Sequence, residues 1–202
     1  MKNKVLNLLF FLFLFLLITM SSCVKIPQIQ NGGEVQQIFD SKVNMKDGGL
    51  LNMVKKDSKE TTTIILVRHA EKIKDQQDPN LTKEGKLRAE KLKDILSTIS
   101  LNSIYSSDYN RTQQTAKPTS NTQRVEITSY DPRALNEFGN MLLQKKAGEN
   151  ILVVGHSNTT PVLLNYFMKE KVVESISESD YGNLYIVNIN HQGNAKSLLL
   201  KY

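Results

Sequence analysis

Leu66-Val67-Arg68-His69-Ala70-Glu71-Lys72 places an arginine and a histidine directly after the apolar, β-branched run Thr61-Thr62-Thr63-Ile64-Ile65. Such a run reads as a buried strand. Arg68 and His69 then sit where that strand ends, the edge at which open α/β sheets bind ligands. Arg68 offers a planar fork of donors suited to phosphate. His69 offers a nitrogen nucleophile that is neutral near pH 7. A second histidine follows another apolar run, in Ile151-Leu152-Val153-Val154-Gly155-His156-Ser157-Asn158. A third segment, Ser103-Ile104-Tyr105-Ser106 followed by Ser107-Asp108-Tyr109-Asn110-Arg111-Thr112, supplies another arginine. If the three strands are parallel, Arg68, His69, Arg111 and His156 converge on one anion. Two arginines would hold a phosphate by charge-assisted, bidentate bonds. His69 could attack phosphorus, with His156 donating to the transferring oxygens.

The leaving alcohol would also need a proton, so a carboxyl group is wanted. Asp131, at the end of a third predicted strand, is the first choice, on strand-end placement. Glu137 is the runner-up and Glu71 a third candidate. Asp131 equally suits a helix N-cap, and Glu71 a loop ion pair with Lys72. Asp108 suits a cap for the helix that carries Arg111. His191, in the turn-like His191-Gln192-Gly193-Asn194, reads as solvated surface. Zinc is disfavoured, because the domain has no cysteine and no histidine pair at helical spacing.

These residues need a scaffold. From Thr62 onward the sequence alternates strands and helices. Strands are predicted at Thr62–Val67, Ser103–Ser106, Val125–Tyr130, Ile151–Val154, Leu184–Ile189 and Ser197–Leu200. Thr82 caps a helix to about Ser97 whose Leu92, Ile95, Leu96 and Ile99 share a face. A second helix starts at Asp108 or Tyr109 and stops before Pro118. A third opens at Asp131-Pro132 and ends near Gly148, and a fourth runs from Thr160-Pro161 to about Met168. The implied fold is α/β, a three-layer sandwich with a mostly parallel central sheet and helices on both faces.

Arg68-His69, the stretch from Ser106 to Ala116 and Gly155-His156-Ser157-Asn158 together resemble the histidine phosphatase superfamily, also called phosphoglycerate-mutase-like. The resemblance covers about Thr62 to the C-terminus. It implies His69 as a phosphorylated nucleophile, and Arg68, Arg111 and His156 as the phosphate pocket, with Asn158 as a secondary member. It implies no metal or other cofactor. Leu81-Thr82-Lys83-Glu84-Gly85 resembles the family's helix-opening segment. Ala70-Glu71-Lys72 departs from the Gly, Thr and Asn that follow the histidine in mutase-type members. The departure favours a phosphomonoester hydrolase over a phosphotransferase or mutase. A pseudoenzyme that only binds phosphorylated ligands is the non-catalytic alternative. The expected substrate is a phosphorylated small molecule or phosphoprotein.

The 202-residue chain has 40% hydrophobic and 23% charged residues and a formal net charge of +6, ordinary values for a globular protein. No block of basic residues is interleaved with aromatics, and Trp is absent, so nucleic acid is not an expected partner. The N-terminus has the layout of a processed segment: Lys2 and Lys4, the apolar run Leu8 to Ile18, then Ser21-Ser22-Cys23. Met20-Ser21-Ser22-Cys23 resembles a bacterial lipobox, with Met20 in place of the usual Leu. That resemblance implies residues 1–22 as a lipoprotein-type signal peptide and lipid on Cys23. It implies a domain anchored to a membrane of the cell envelope, facing outside the cytoplasm. Residues 23–60, with Gln28-Ile29-Gln30-Asn31-Gly32-Gly33, read as a tether, and residues 61–202 as the catalytic domain. Cys23→Ser is expected to release the protein from membranes or block processing; unchanged membrane fractionation would overturn the lipid anchor.

Overall fold

The computed structural model describes residues 29–39, 42–52 and 61–202. The signal segment and Cys23 lie outside the described residues. Nine strands form one sheet in the order β3-β2-β1-β9-β8-β4-β7-β5-β6. They are β1 (Gln30–Phe39), β2 (Lys42–Met45), β3 (Leu50–Asn52), β4 (Thr62–Arg68), β5 (Ser103–Ser107), β6 (Ile127–Tyr130), β7 (Asn150–Gly155), β8 (Asn183–Ile189) and β9 (Ala195–Lys201). The helices are α1 (Lys83–Leu96), α2 (Asn110–Gln123), α3 (Leu135–Lys145) and α4 (Thr159–Met168).

Strand periodicity builds the three layers. Ile65 and Val67 of β4, with Leu152 and Val154 of β7, pack in a core with Leu92, Ile95 and Leu96 of α1 and Ala116 of α2. The alternate residues Ile64, Leu66, Ile151 and Val153 pack with Phe138 and Leu142 of α3 and Leu163, Leu164 and Phe167 of α4. Successive strand side chains point to opposite faces, so a strand apolar at every position demands a helix layer on each side. The sheet is mixed. β4, β7, β5 and β6 pair in parallel, whereas β8 runs antiparallel to both β4 and β9. The parallel part carries the predicted site.

Three expectations need correction. The described part of the segment read as a tether forms β1, β2 and β3, which extend the sheet. Val35, Ile38 and Val43 are fully buried in the first core. A bulge between Val35 and Gln37 breaks the alternation of β1, which hides the strand pattern among Gln and Gly residues. Second, α2 does not stop at Pro118, which lies inside it. An interior proline costs a helix about 3 kcal/mol. Burial of Thr115, Ala116, Thr119 and Ser120 offsets that cost, as does Gln123, which donates to the Leu96 carbonyl and accepts from the Leu101 amide (2.9 and 2.8 Å). Third, α3 begins at Leu135 rather than at Pro132, because Asp131 is held by Arg133 in a turn and caps nothing. Thr82 does cap α1, accepting from the Gly85 amide at 3.1 Å.

Ile38→Ala is expected to cost roughly 2–5 kcal/mol of unfolding free energy, the usual result of emptying a buried aliphatic site. Urea unfolding checks it; a tether residue would give no change.

Candidate active site

The parallel pairing of β4 with β7 aligns Arg68 with Gly155. The His69 amide donates to the Gly155 carbonyl at 2.9 Å. His69 and His156 therefore leave the sheet side by side, their ring centroids 5.5 Å apart. A Cβ on Gly155 would lie 2.7 Å from Thr159 Oγ1 and 2.9 Å from Tyr130 Oη, so this close approach requires glycine. β5 lies beside β7 and delivers Ser107, Tyr109 and the first turn of α2. The Ala70 amide donates to Thr115 Oγ1 of α2 at 2.9 Å, fixing the loop after His69 against the helix that carries Arg111.

A cavity of about 330 Å³ opens over these strand ends. His69, Arg111, His156, Ser157 and Asn158 line it, together with Lys72, Arg133 and Glu178. Lys72 comes from the loop after His69, and Glu178 from the segment between α4 and β8.

Hydrogen bonding settles the proton positions on the imidazoles. His69 Nδ1 lies 2.8 Å from the Ala70 carbonyl oxygen. A carbonyl only accepts, so Nδ1 carries the proton and Nε2 keeps its lone pair. His156 Nε2 lies 2.8 Å from Ser107 Oγ. That hydroxyl donates to Thr112 Oγ1 (3.1 Å), which in turn donates to the carbonyls of Ser107 and Tyr109 (2.8 and 2.9 Å). The chain of hydroxyls makes His156 Nε2 the donor and leaves a lone pair on Nδ1, 3.5 Å from Arg111 Nη2. His156 can thus donate toward an anion in the cavity only after gaining a proton at Nδ1.

Burial pushes the His69 imidazole down to about 3, helped by the charges of Arg68 and Arg111. Burial, then Arg111 and Arg68, pushes His156 down to about 4. A charged imidazolium is disfavoured away from water and beside guanidinium groups. Both rings are therefore neutral through the physiological range.

The arginines differ. Arg111 stacks on the Tyr109 ring, 4.4 Å to its centroid, and meets Asp78 Oδ1 at 3.5 Å. Arg68 is buried, 1% exposed. Its Nη1 donates to the carbonyls of Ser177, Glu178 and Asp180 (2.9, 3.0 and 3.2 Å), and Nη2 pairs with Glu178 Oε2 at 2.8 Å. Tyr181 covers the guanidinium at 4.2 Å. Arg68 thus stands behind His69 as a buried charge and does not line the cavity.

The acid candidates fall elsewhere. Asp131 accepts from the Arg133 amide and from its Nε and Nη2 (2.9–3.0 Å). Those bonds hold its carboxyl below the usual range, the opposite of what a proton donor at neutral pH needs. It does not line the cavity. Glu137 is exposed on α3. Glu71 pairs with Arg88 at 2.6 Å, not with Lys72. Asp108 caps nothing; Asp78 instead accepts from the Asn110 amide at 3.0 Å at the start of α2. Asp78 and Glu178 are missing from the sequence reading. Both come from loops whose path no periodicity reveals, and both are found only through the guanidinium groups they meet.

Residues 64–141 match the model of the histidine phosphatase superfamily (branch 1). Over that stretch the domain is similar to the superfamily. Its fold recurs in solved structures. The protein histidine phosphatase SixA complexed with tungstate is 14% identical, with a TM-score of 0.56 over 69% of this chain and 96% of that one. The alpha-ribazole phosphatase from Shigella flexneri is 16% identical, with a TM-score of 0.60 over 69% and 96%. A phosphoglycerate mutase from Plasmodium falciparum is 24% identical, with a TM-score of 0.50 over 71% and 91%. A search of curated proteins gives no match. Among the described residues, no group of three or more His, Cys, Asp or Glu is placed to hold a metal ion.

The depressed histidines have a consequence for stability. The unfolded chain takes up these protons near pH 6.5, but the folded chain takes them up only near pH 4 and 3. Between those values the unfolded state binds more protons, so stability is intact above about pH 6.5 and falls as pH drops through the window. Urea unfolding at pH 7 and pH 5 is expected to show this loss, and His69→Gln, His156→Gln to reduce it; an unchanged pH slope in the double variant would contradict it.

Proposed function

We propose that this chain is a metal-independent phosphomonoester hydrolase that works through a phosphohistidine on His69. The carrying observation is the His69 ring: neutral, its Nδ1–H held by the Ala70 carbonyl so that Nε2 keeps its lone pair, and lining one cavity with His156 and Arg111. The Nε2 lone pair forms a bond to phosphorus as the ester P–O bond breaks. The hydrogen bond to Ala70 stabilises the positive charge that the ring acquires. Arg111 and Arg68 supply charge that no accessible pH removes. A phosphate dianion beside His156 favours its protonation, which gives Nδ1 a donor for the transferring oxygens. Water then attacks the phosphohistidine, releasing inorganic phosphate and free His69.

The printed names of the similar structures span a protein histidine phosphatase and a phosphatase of a small phosphomonoester. The open cavity, with Lys72 and Arg133 in its lining, suits either a phosphorylated small molecule or a phosphoprotein. The lipobox pattern supports the further proposal that this activity faces outside the cytoplasm on a lipid anchor at Cys23.

His69→Ala is expected to lower kcat on an aryl phosphate by about 10³-fold or more, on the scale of losing a nucleophile from a cooperating set. Rapid acid quench with 32P-labelled substrate should trap label on wild type and none on the variant. Retained hydrolysis in His69→Ala would overturn the mechanism.

A further inference from the structure

A fully buried guanidinium needs a counter-charge. Arg68 Nη1 is occupied by three main-chain carbonyls, so Nη2 makes the one contact with an anion, the Glu178 carboxylate. Glu178 also accepts a hydrogen bond from Ser157 Oγ. Among the described residues it is the only carboxylate that lines the cavity with His69 and His156. Its side chain is otherwise exposed, at 76%, so nothing packs it in place.

An incoming phosphate dianion seeks the donor on the cavity wall that Glu178 now holds, Ser157 Oγ, and its charge repels the carboxylate. It therefore displaces the carboxylate while leaving it at the cavity wall. The displaced group loses the bonds that favour its charged form and gains a dianion as neighbour. Both changes favour protonation. The proton is thus acquired in the presence of substrate, although in the empty site Ser157 and Arg68 hold this carboxyl below its ordinary value.

Resting on the phosphohistidine reading above, we propose that Glu178 is the catalytic acid and base of this site. As the bond from His69 Nε2 to phosphorus forms and the ester P–O bond breaks, Glu178 gives its proton to the departing oxygen. The alcohol leaves neutral and Glu178 is left as carboxylate. It then takes a proton from water as that water's oxygen bonds to phosphorus. The P–N bond breaks, its electron pair returns to Nε2, and Glu178 is protonated again. Once phosphate departs, Glu178 releases the proton to solvent and returns to Arg68.

The test compares wild type and Glu178→Gln on p-nitrophenyl phosphate, whose leaving group needs little protonation, and on β-glycerol phosphate, whose alkoxide needs it fully. The expected result is a kcat loss of about 10²-fold or more on the alkyl ester and little change on the aryl ester. Inhibition by inorganic phosphate should be retained or tightened, which shows an intact pocket. Equal losses on both esters, or no loss on either, would overturn the proposal and leave Glu178 as a counter-ion only. A wild type with no turnover on either ester and no label on His69 would overturn the phosphohistidine reading itself, and Glu178 with it.

Discussion

The site depends on one register, the parallel pairing that sets Arg68 opposite Gly155 and ties the His69 amide to the Gly155 carbonyl. A slip of one residue would send every side chain of β4 to the other face. Such a slip is closed off because Ile64 and Leu66 fill one core while Ile65 and Val67 fill the other. Both layers thus vote for the same alignment. The distance between the two imidazoles is then a property of the sheet, held by main-chain bonds between two strands buried at every position.

Electrostatics work against the burial that this placement imposes. Two histidines and a guanidinium leave water together, and the imidazoles respond by staying neutral. Neutrality is what a nitrogen nucleophile requires. The guanidinium cannot respond in that way, since it keeps its charge at every accessible pH. The 177–180 loop answers for it, with carbonyl dipoles on one nitrogen and a carboxylate on the other. Desolvation therefore sorts the two residue types into two roles within one site.

Much of this was legible in the residues. The continuous apolar runs of β4 and β7, the cap at Thr82 and the turn at Gly193 each follow from a local rule, and the structure agrees with them. His69, Arg111, His156 and Asn158 were readable as one set because each follows a strand end. What was hidden has physical causes. A bulge erased the period of β1, and tertiary packing carried α2 through Pro118. Asp131 has the right position along the chain, but its neighbour Arg133 captures it. Glu178 stands in a segment without regular structure, so no pattern points to it.

The clasp on Arg68 has a last consequence. Three of the four hydrogen bonds its side chain donates go to main-chain oxygens, of Ser177, Glu178 and Asp180. Any amino acid possesses such an oxygen. Evolution can therefore rewrite Ser177 and Asp180 without touching those three bonds, provided the loop keeps its length and path. Selection on this part of the site would act on insertions and deletions rather than on substitutions, and would leave its record in the spacing between His156 and β8.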